Sequence, residues 1–574
     1  MRGFRIWLPL LLVAGGVLVF ANGLDGPFLY DDASIVEDRD IRQLLPPWRA
    51  IGASRDTAAA GRPVVHYSLA LNYAFGGLEV RGYRMLNIAV HLACGLVLFG
   101  VVRRTLERVG CPAGASSHGM ATAVALLWLV HPLQTECVNY ISQRSESIMG
   151  LFCLLTLYAS IRALDPGGRR WAVVAILCCA LGMASKETMV VVPLIVPLYD
   201  LAYVNGDWRG LLRDRGLLYG GLGATWLVLA VLMASGPRAA SVGFSLGTSA
   251  VDWAMNQCVV VLDYLRLVVW PHPLVFDYGY PQALSLAQVA PRAALLSVLV
   301  AAAVIALVRR PAIGFPAAWI FILLAPTSTI VPIITEVGAE RRMYLPLAGV
   351  IVLVVVLARS LIERVARPEI RRRVGIVVLL AVAAASAGVT ASRNRDYASA
   401  VSIWGTAVDA RPDNHRAYGN LGKALQQQGD MDEAIAHYRR ALAIRPDYSE
   451  ALNNLGSALL KLGRLDEAIE HFRSAVEANP EYTNAHYNLA TVLQSERRLD
   501  EALLHYREAL RLKPDHAKTH NNLGTALGSL GRLEQAAEQF REALRLDPDY
   551  DEARKNLALA LERAATSPAG EEGR

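Results

Sequence analysis

Two adjacent carboxylates, Asp31 and Asp32, follow the first apolar run of the chain, Ile6 to Ala21. They lie in a loop that begins at Asn22-Gly23, about where such a run would leave a bilayer. Ionised acids are costly to keep near lipid, so acids at a membrane face are candidates for a functional site. A carboxylate in that position can take a proton from a reacting group. The chemistry open to the pair depends on the groups that other segments bring to the same face.

The chain has 574 residues, of which 53% are hydrophobic, and its apolar runs are confined to residues 1 to about 392. The first run has no small-x-small cleavage site after it, so we interpret it as a retained signal anchor. A polar run at 251–270 is predicted to be interfacial or re-entrant. Eleven runs have, or nearly have, the length and apolarity of a membrane span: 6–22, 83–102, 120–135, 146–163, 171–184, 188–203, 217–235, 291–308, 313–334, 344–362 and 374–391.

Arginines are concentrated in alternate short loops between these runs, while the chain as a whole has a net charge of +6. The positive-inside rule then places the N-terminus, with Arg2 and Arg5, in the cytoplasm and everything after about residue 392 outside it. We therefore predict a multi-pass integral membrane protein, in the inner or plasma membrane if bacterial. This loop pattern fits topology signals better than a nucleic-acid surface, so no nucleic-acid partner is expected. All seven cysteines precede residue 259, which excludes a disulfide framework or zinc spacing in the second half.

The same topology brings acids and bases from distant segments to the outer face, whereas the cytoplasmic loops are almost purely basic. Such a mixture suits a site that handles an anion and a proton together. The alternative is that these loops are simply polar. For Asn87 and His91, four residues apart on one helical face, a helix–helix hydrogen bond is favoured over a catalytic role. The predicted outer-face residues are Asp31, Asp32, Arg62, His131, Glu136, Arg144, Glu146, Lys186, Glu187, Glu336, Glu340, Arg341 and Arg342.

The second half of the chain is a tandem repeat. Five prolines recur every 34 residues: Pro412, Pro446, Pro480, Pro514 and Pro548. The residues between them repeat an Asn-Leu-Gly/Ala step, a turn, and an Asp/Glu-Glu/Gln-Ala step, which is typical of tetratricopeptide helix pairs. We predict a membrane domain at 1–392 and a repeat domain at 393–564. The repeat domain comprises a half repeat from Tyr397 to Arg411, four full repeats at 413–548 and a capping helix from Tyr550 to Ala564; residues 565–574 form a disordered tail.

One asparagine occupies the same position on the first helix of each repeat unit. In a solenoid such a column lines the concave groove, where carboxamides could hold the backbone of an acceptor peptide. The alternative is that each asparagine bonds the neighbouring repeat. The column consists of Asn420, Asn454, Asn488, Asn522 and Asn556.

Several short motifs, in order, carry a resemblance that spans nearly the whole chain. They are Tyr30-Asp31-Asp32, Gly61-Arg62-Pro63, Asn87 to His91, His131-Pro132, Gln143 to Glu146, Ser185-Lys186-Glu187 and Glu340 to Pro346. The first half resembles the C-type glycosyltransferases, multi-spanning enzymes that use a polyprenyl-phosphate sugar. With the repeats, the chain is similar to the transmembrane and tetratricopeptide-repeat O-mannosyltransferases. The resemblance implies an all-α fold, a polytopic helix bundle followed by an α-solenoid, with an acid of the first outer loop as catalytic base. The high ratio of Arg to Lys favours a bacterial version.

From this resemblance we expect transfer of a hexose, such as mannose, from a polyprenyl-phosphate donor to Ser or Thr hydroxyls of proteins, with inversion at the sugar. Asp31 or Asp32 would be the base, and the choice between them stays open. The departing phosphate needs fixed cations; Arg341 or Arg342 is the first choice and Arg144 or Lys186 the second. Six other residues are assigned to support the site at the outer face: Arg62, His131, Glu146, Glu187, Glu340 and Tyr344.

Two other functions remain open on the sequence alone. The chain could be a membrane-anchored repeat scaffold, although an anchor needs one or two helices rather than eleven. It could also transfer sugar to a lipid or polysaccharide, with the repeats binding a partner protein instead of the acceptor. No cofactor is expected, since the lipid-phosphate sugar is a co-substrate. The scheme requires no metal, although paired acids could bind one.

Overall fold

The computed structural model describes residues 4–38, 40–44, 60–111, 115–204, 208–235, 249–328 and 336–566. These residues form helices and turns without a β-strand, as expected for an all-α chain. The chain divides into two compact units, Met1–Arg411 and Pro412–Arg574.

The first unit contains sixteen α-helices among the described residues. In chain order they are α1 Phe4–Phe20, α2 Ala33–Glu37, α3 Pro63–Gly76, α4 Val80–Arg108, α5 Ala115–Leu129, α6 Thr135–Asn139, α7 Arg144–Ala163, α8 Arg169–Met183, α9 Val192–Tyr203, α10 Trp208–Ser235, α11 Ala250–Val269, α12 Leu286–Arg309, α13 Pro311–Ser328, α14 Pro346–Val365, α15 Arg371–Asp396 and α16 Ala400–Ala410.

Each apolar run predicted from the sequence overlaps one of these helices, and the run 120–135 is broken after α5. Among the described residues seven helices are long and apolar enough to cross a membrane, or eight if a bent pair counts as one span. A shorter apolar helix covers Trp7–Gly23, and the helices on two other predicted runs, α8 and α9, are only 15 and 12 residues long. The count of eleven spans therefore stays a prediction. Part of the run at 313–334 lies outside the described residues.

The bent pair lies where His131-Pro132 interrupts a predicted span. The helices Ser117–Leu129 and Pro132–Asn139 meet at 58°, because proline cannot continue the hydrogen bonding of the preceding turn. The break turns α6 and the polar turn after it away from the line of α5. It also seats Trp128, fully buried, against the ring of Tyr344.

Nine helices form the second unit: α17 His415–Gln428, α18 Met431–Ile444, α19 Ser449–Lys461, α20 Leu465–Ala478, α21 Thr483–Ser495, α22 Leu499–Leu512, α23 Ala517–Ser529, α24 Leu533–Leu546 and α25 Asp551–Thr566. The glycine of the Asn-Leu-Gly step allows the paired helices to approach. A Cβ added at Gly456 would lie 2.9 Å from the ring of Phe472, and one at Gly524 would lie 2.7 Å from Phe540. The predicted tail lies outside the described residues apart from 565 and 566, which end α25.

The turn inside each repeat places one residue in the left-handed backbone region. Gly429, Gly463 and Gly531 fill this position with φ of 100°, 75° and 75°, but the third repeat has Arg497 there, with φ of 61°. A side chain in that conformation carries a steric cost that glycine avoids. The third repeat is therefore locally strained.

The segment that the sequence grouped with the repeats as a half repeat belongs to the first unit by its contacts. Trp404 of α16 packs edge-on against Tyr30 and Phe276, with ring centroids 5.5 and 5.1 Å apart. The carbonyl of Tyr397 accepts a 3.3 Å hydrogen bond from Arg84 of α4. The first unit therefore includes the segment up to Arg411, and the second unit begins at Pro412.

Candidate active site

The two acids of the first loop lie in different environments. Asp32 is 1% exposed, and its two oxygens accept hydrogen bonds from the backbone amides of Leu29 at 3.0 Å and Ser142 at 2.7 Å. Asp31 is exposed, and its own amide donates to the Tyr140 hydroxyl at 3.1 Å. Asp32 therefore joins the loop to the turn after α6, and Asp31 presents its carboxylate at the surface of that junction.

Burial dominates the titration of Asp32. It raises the pKa of this carboxyl from 3.8 to about 7, even though the amides of Leu29 and Ser142 act in the opposite direction. The negative charge of Asp31 adds a smaller rise. A buried carboxyl of this kind can hold a proton near neutral pH, but both of its oxygens are already used to position the loop.

Arg144 begins α7 directly after this turn, and it is fully buried. Its guanidinium donates to the side chain of Asn87 at 2.6 Å and to the carbonyls of Tyr83 and Ser68 at 2.8 and 3.2 Å. Every named acceptor is neutral and belongs to α3 or α4. The structure thus places Arg144 between helices, where it supports the bundle, and its assignment as a phosphate ligand stays a prediction.

Two ion pairs surround the start of α7. The ammonium of Lys186 lies 2.7 Å from Glu146, and Arg62 reaches both Ser145, at 3.2 Å, and Glu187, at 3.3 Å. Both side chains of the Lys186–Glu146 pair are at least 90% buried. Predicted outer-face residues from three distant segments are therefore in direct contact.

A second charged cluster forms where the segment before α14 meets α6. Arg341 pairs with Glu136 and Glu336, and its amide donates to Glu136 at 2.9 Å. Arg342 donates to the carbonyl of Glu336 at 2.8 Å and lies 3.7 Å from its carboxylate. Burial would raise the pKa of Glu336, but Arg341 and Arg342 hold it below its usual value, and Lys186 adds to the effect. Lys186 of the first cluster therefore acts electrostatically on Glu336 of the second.

The remaining predicted supporting residues hold the fold around these clusters. Glu340 is buried and accepts a hydrogen bond from the amide of Val275. His131 caps the turn after the break, with its Nδ1 accepting from the amide of Leu133 at 3.2 Å and its Nε2 3.0 Å from the Val268 carbonyl. Tyr344 lies in the core.

The polar pair on α4 makes helix–helix hydrogen bonds, the interpretation favoured from the sequence. His91 Nδ1 lies 3.0 Å from the Tyr344 hydroxyl, and its Nε2 lies 3.0 Å from the Leu129 carbonyl. Asn87 donates to the Val138 carbonyl at 3.1 Å and accepts from Arg144. Both side chains are fully buried.

In the second unit, much of the asparagine column bonds the neighbouring repeat. Asn488 donates to Asn453 at 2.8 Å, and Asn556 donates to Asn521 at 2.9 Å. Asn522 likewise donates to the Tyr487 hydroxyl at 3.1 Å. Among the described residues Asn420 bonds its own helix alone, at the Arg416 carbonyl, 3.0 Å away, and Asn454 accepts from its neighbour Asn453 at 3.4 Å. These contacts favour the stacking interpretation over peptide binding for three of the five positions.

Sequence reasoning did not single out one charged residue that lies near these clusters. Arg393, in the last turn of α15, is 5% exposed, and its positive charge acts on Glu340. Its place in an Arg-Asn-Arg-Asp run at the end of an apolar helix was the available signal. Within the described ranges no group of three or more His, Cys, Asp or Glu side chains has a metal-binding arrangement.

Both halves of the chain match models of known families. Residues 59–233 match the family described as dolichyl-phosphate-mannose-protein mannosyltransferase. Tetratricopeptide-repeat models match residues 413–481, 453–517 and 517–550. The solved structure titled "Crystal structure of MamA" is 24% identical, covering 28% of this chain and 93% of that one, with a TM-score of 0.25.

Curated relatives align with about three quarters of this chain. The protein named Protein O-mannosyl-transferase TMTC4 of Mus musculus is 25% identical over 490 residues, covering 74% of this chain and 65% of the mouse protein. Protein O-mannosyl-transferase F38B6.6 of Caenorhabditis elegans is 25% identical over 443 residues, covering 73% and 60%. This chain thus spans 60% to 65% of the length of these two relatives. It joins a mannosyltransferase-like helical domain to tetratricopeptide repeats and is similar over most of its length to the TMTC-type protein O-mannosyl-transferases.

Proposed function

We propose that this chain is a membrane glycosyltransferase. It moves a hexose, with mannose the first candidate, from a polyprenyl-phosphate donor to Ser or Thr hydroxyls of protein acceptors. The observation that carries the proposal is the exposed carboxylate of Asp31, on a loop fixed by the buried bonds of Asp32. The names of the relatives and the mannosyltransferase family match support the same reaction class.

The reaction is a displacement at the anomeric carbon. Asp31 takes the proton of the acceptor hydroxyl while that oxygen forms a bond to the anomeric carbon. The bond from the anomeric carbon to the phosphate oxygen breaks, and its electron pair leaves with the polyprenyl phosphate. Attack from the side opposite the phosphate inverts the anomeric centre. Since a hydroxyl is a weak nucleophile near neutral pH, a positioned base contributes about a hundred- to ten-thousand-fold in rate.

Cations at the site offset the charge that the phosphate gains as it leaves. Lys186, Arg341 and Arg342 contribute to this positive potential. In the unliganded chain Glu146 neutralises Lys186, and Glu136 and Glu336 neutralise Arg341. These carboxylates keep the buried cations compatible with the fold before the donor binds.

The repeats extend the enzyme with a surface for polypeptide. We propose that they raise the local concentration of the acceptor near the membrane domain. The alternation of basic loops supports a topology in which the loop of Asp31 and the repeats share the non-cytoplasmic side.

Transfer by the purified full-length protein tests the proposal. The protein would be incubated with polyprenyl-phosphate mannose and outer-face proteins from cells that lack the gene, and tryptic peptides would be searched by mass spectrometry for hexose on Ser or Thr. We expect hexosylated peptides with the wild-type protein and none with Asp31→Asn. Asp25→Asn serves as the matched control, because Asp25 is an exposed acid of the same loop that pairs with Arg81 at the surface.

Three other outcomes would change the acceptor, the base or the function proposed here. Hexose on a lipid or polysaccharide, with unmodified peptides, would replace the protein acceptor. Transfer that is equal in wild type and Asp31→Asn would remove the proposed base. An absence of transfer to any acceptor, with partner proteins bound by the repeats, would favour a scaffold.

A further inference from the structure

The guanidinium of Arg393 has one satisfied and one unsatisfied side. Its Nη1 donates to Asp396 at 3.0 Å and to the Thr406 hydroxyl at 3.0 Å. Its Nε and Nη2 are buried and have no hydrogen-bond partner within the described part of the chain. These two nitrogens form the edge of the guanidinium that can donate two parallel hydrogen bonds to a pair of oxygens.

A buried donor without a partner is costly, and native structures pair nearly all such groups with protein, water or ligand. Two phenols that interact electrostatically with Glu340, as Arg393 does, are in the same condition. The hydroxyls of Tyr397 and Tyr278 are buried without a partner among the residues described. The Tyr397 ring centroid lies 5.6 Å from the guanidinium carbon of Arg393. Several donors therefore lack an acceptor in one region.

Glu340, the acid in this region, also favours a ligand that accepts hydrogen bonds. Burial raises the pKa of Glu340 to about 8, against the lowering effect of Arg393. Its carboxyl is therefore mostly protonated at neutral pH. One of its oxygens accepts from the amide of Val275, which leaves an O–H that can donate. A guanidinium edge, two phenols and a protonated carboxyl together suit an anion with several oxygens.

These groups lie at the end of a candidate membrane span, which favours a lipid phosphate as the anion. Arg393 lies in the last turn of α15, where the candidate span Arg371–Asp396 ends; lipid phosphates lie at that level of a membrane. Helix α16 covers the region, and its Trp404 packs on Tyr30, the residue before Asp31. Helix α16 therefore connects this region to the loop that carries the proposed base.

We propose that Arg393, with Tyr278 and Tyr397, binds a phosphoester group, the phosphate of the lipid-linked sugar donor. This inference rests on the proposed function for the identity of the lipid. Arg393 contacts the phosphate directly through Nε and Nη2. Lys186 and Arg341 stabilise its negative charge electrostatically, without direct contact. The site is formed by α15, α16 and the loop of Tyr278, all within the first unit.

Binding of farnesyl phosphate to the full-length protein in lipid nanodiscs tests the site, with farnesol and inorganic phosphate as separate probes. We expect Arg393→Met to weaken farnesyl phosphate by about 10- to 100-fold, the size of a charge-assisted hydrogen-bond pair. Arg393→Lys keeps the positive charge but lacks the two parallel donors of the guanidinium, so it should lose less affinity for farnesyl phosphate. Arg395→Met, an exposed arginine of the same turn, should bind as wild type does, and farnesol should not distinguish the variants.

Equal affinity of wild type and Arg393→Met for farnesyl phosphate would overturn the inference, as would a wild-type protein that binds farnesol equally well. If Arg393→Met does not fold, Arg393→Lys and Tyr397→Phe decide in its place, and unchanged affinity in both would overturn it. The hexose-transfer assay separates the two proposals. Phosphate binding that depends on Arg393 without any transfer would leave this inference standing and remove the function. Full transfer by Arg393→Met would do the reverse.

Discussion

The backbone amide of Ser142 donates a 2.7 Å hydrogen bond to Asp32, although 110 residues separate the two. This bond and the one from Leu29 use both oxygens of the Asp32 carboxylate. Asp31, its neighbour in sequence, stays exposed. One acid of the pair is therefore suited to position the loop and the other to meet a substrate.

Asparagine substitutions should separate these two roles. Asp31→Asn should lower the rate of transfer by about a hundredfold or more with little change in thermal unfolding. Asp32→Asn should destabilise the protein by about 1–3 kcal/mol, because its amide group turns a donor toward a backbone N–H. Transfer rates and unfolding temperatures of both variants provide the measurements. A stable but inactive Asp32→Asn beside an active Asp31→Asn would exchange the assignments.

The contribution of Asp32 to stability should fall as pH rises toward neutrality. Asp32 has a pKa of about 7 when folded and about 3.8 otherwise, so the folded chain binds the proton more tightly. Its stabilising contribution is complete below pH 3.8 and is lost as pH rises through 7, with a slope of at most about 1.4 kcal/mol per pH unit. Between pH 4 and 8 the unfolding temperature of Asp32→Asn should rise relative to that of the wild type, because the variant lacks the contribution that the wild type loses. An unchanged slope in that variant would contradict the cause assigned.

The Lys186–Glu146 pair offers a double-mutant cycle. Removing one partner leaves a buried charge without compensation, so Lys186→Met and Glu146→Gln should each cost about 3–5 kcal/mol in stability. The double variant should recover most of that loss. If Lys186 also acts on the donor, transfer should stay low in the double variant despite its recovered stability. Recovery of both properties would make the pair purely structural.

The asparagine column can be tested by comparing two of its members. Asn488→Ala removes a bond between repeats and should speed hydrogen exchange in α19 and α21, with a cost of about 1 kcal/mol. Asn420→Ala leaves the stacking contacts intact, because within the described part of the chain Asn420 bonds its own helix alone. A higher KM for acceptor protein in Asn420→Ala alone would restore peptide binding as the role of that position. Unchanged exchange in Asn488→Ala would weaken the stacking interpretation.

Relief of the strained turn should stabilise the third repeat. Arg497→Gly places a residue without a Cβ where φ is 61°, which should gain about 1 kcal/mol. Hydrogen exchange of α21 and α22 in the full chain should slow. Gly463→Ala, the reverse change at the equivalent position, should accelerate exchange in α19 and α20. Equal exchange in all three proteins would show that the neighbouring helices set the stability of the turn.

The sequence predicted the features of the fold that follow from a local repeat of residue types. A period of 34 residues located the repeats, and apolar runs located the helices of the first unit, although the number that cross a membrane stays open. The sequence could not decide between Asp31 and Asp32, because burial depends on a turn more than a hundred residues away. Arg144 looked like a phosphate ligand, and only tertiary packing shows its neutral partners on α3 and α4.

Arg393 was missed for a related reason. An arginine at the end of an apolar helix is ordinary as a topology signal, and nothing local indicates that it is buried. Its significance depends on Thr406 of α16 and on Tyr278, which lies more than a hundred residues earlier. The same helix α16 carried a weak repeat pattern that concealed its contacts with the first unit.

Because the first unit extends to Arg411 and includes α16, the repeat array begins at Pro412 as a separable module. Exchange of the repeats between relatives at Pro412 would leave Trp404 on Tyr30 and Arg393 beside Thr406. A cut at residue 392 would remove those contacts together with the repeats. Under the proposed function, an exchange at Pro412 would change the choice of acceptor and leave the groups proposed for sugar transfer in place.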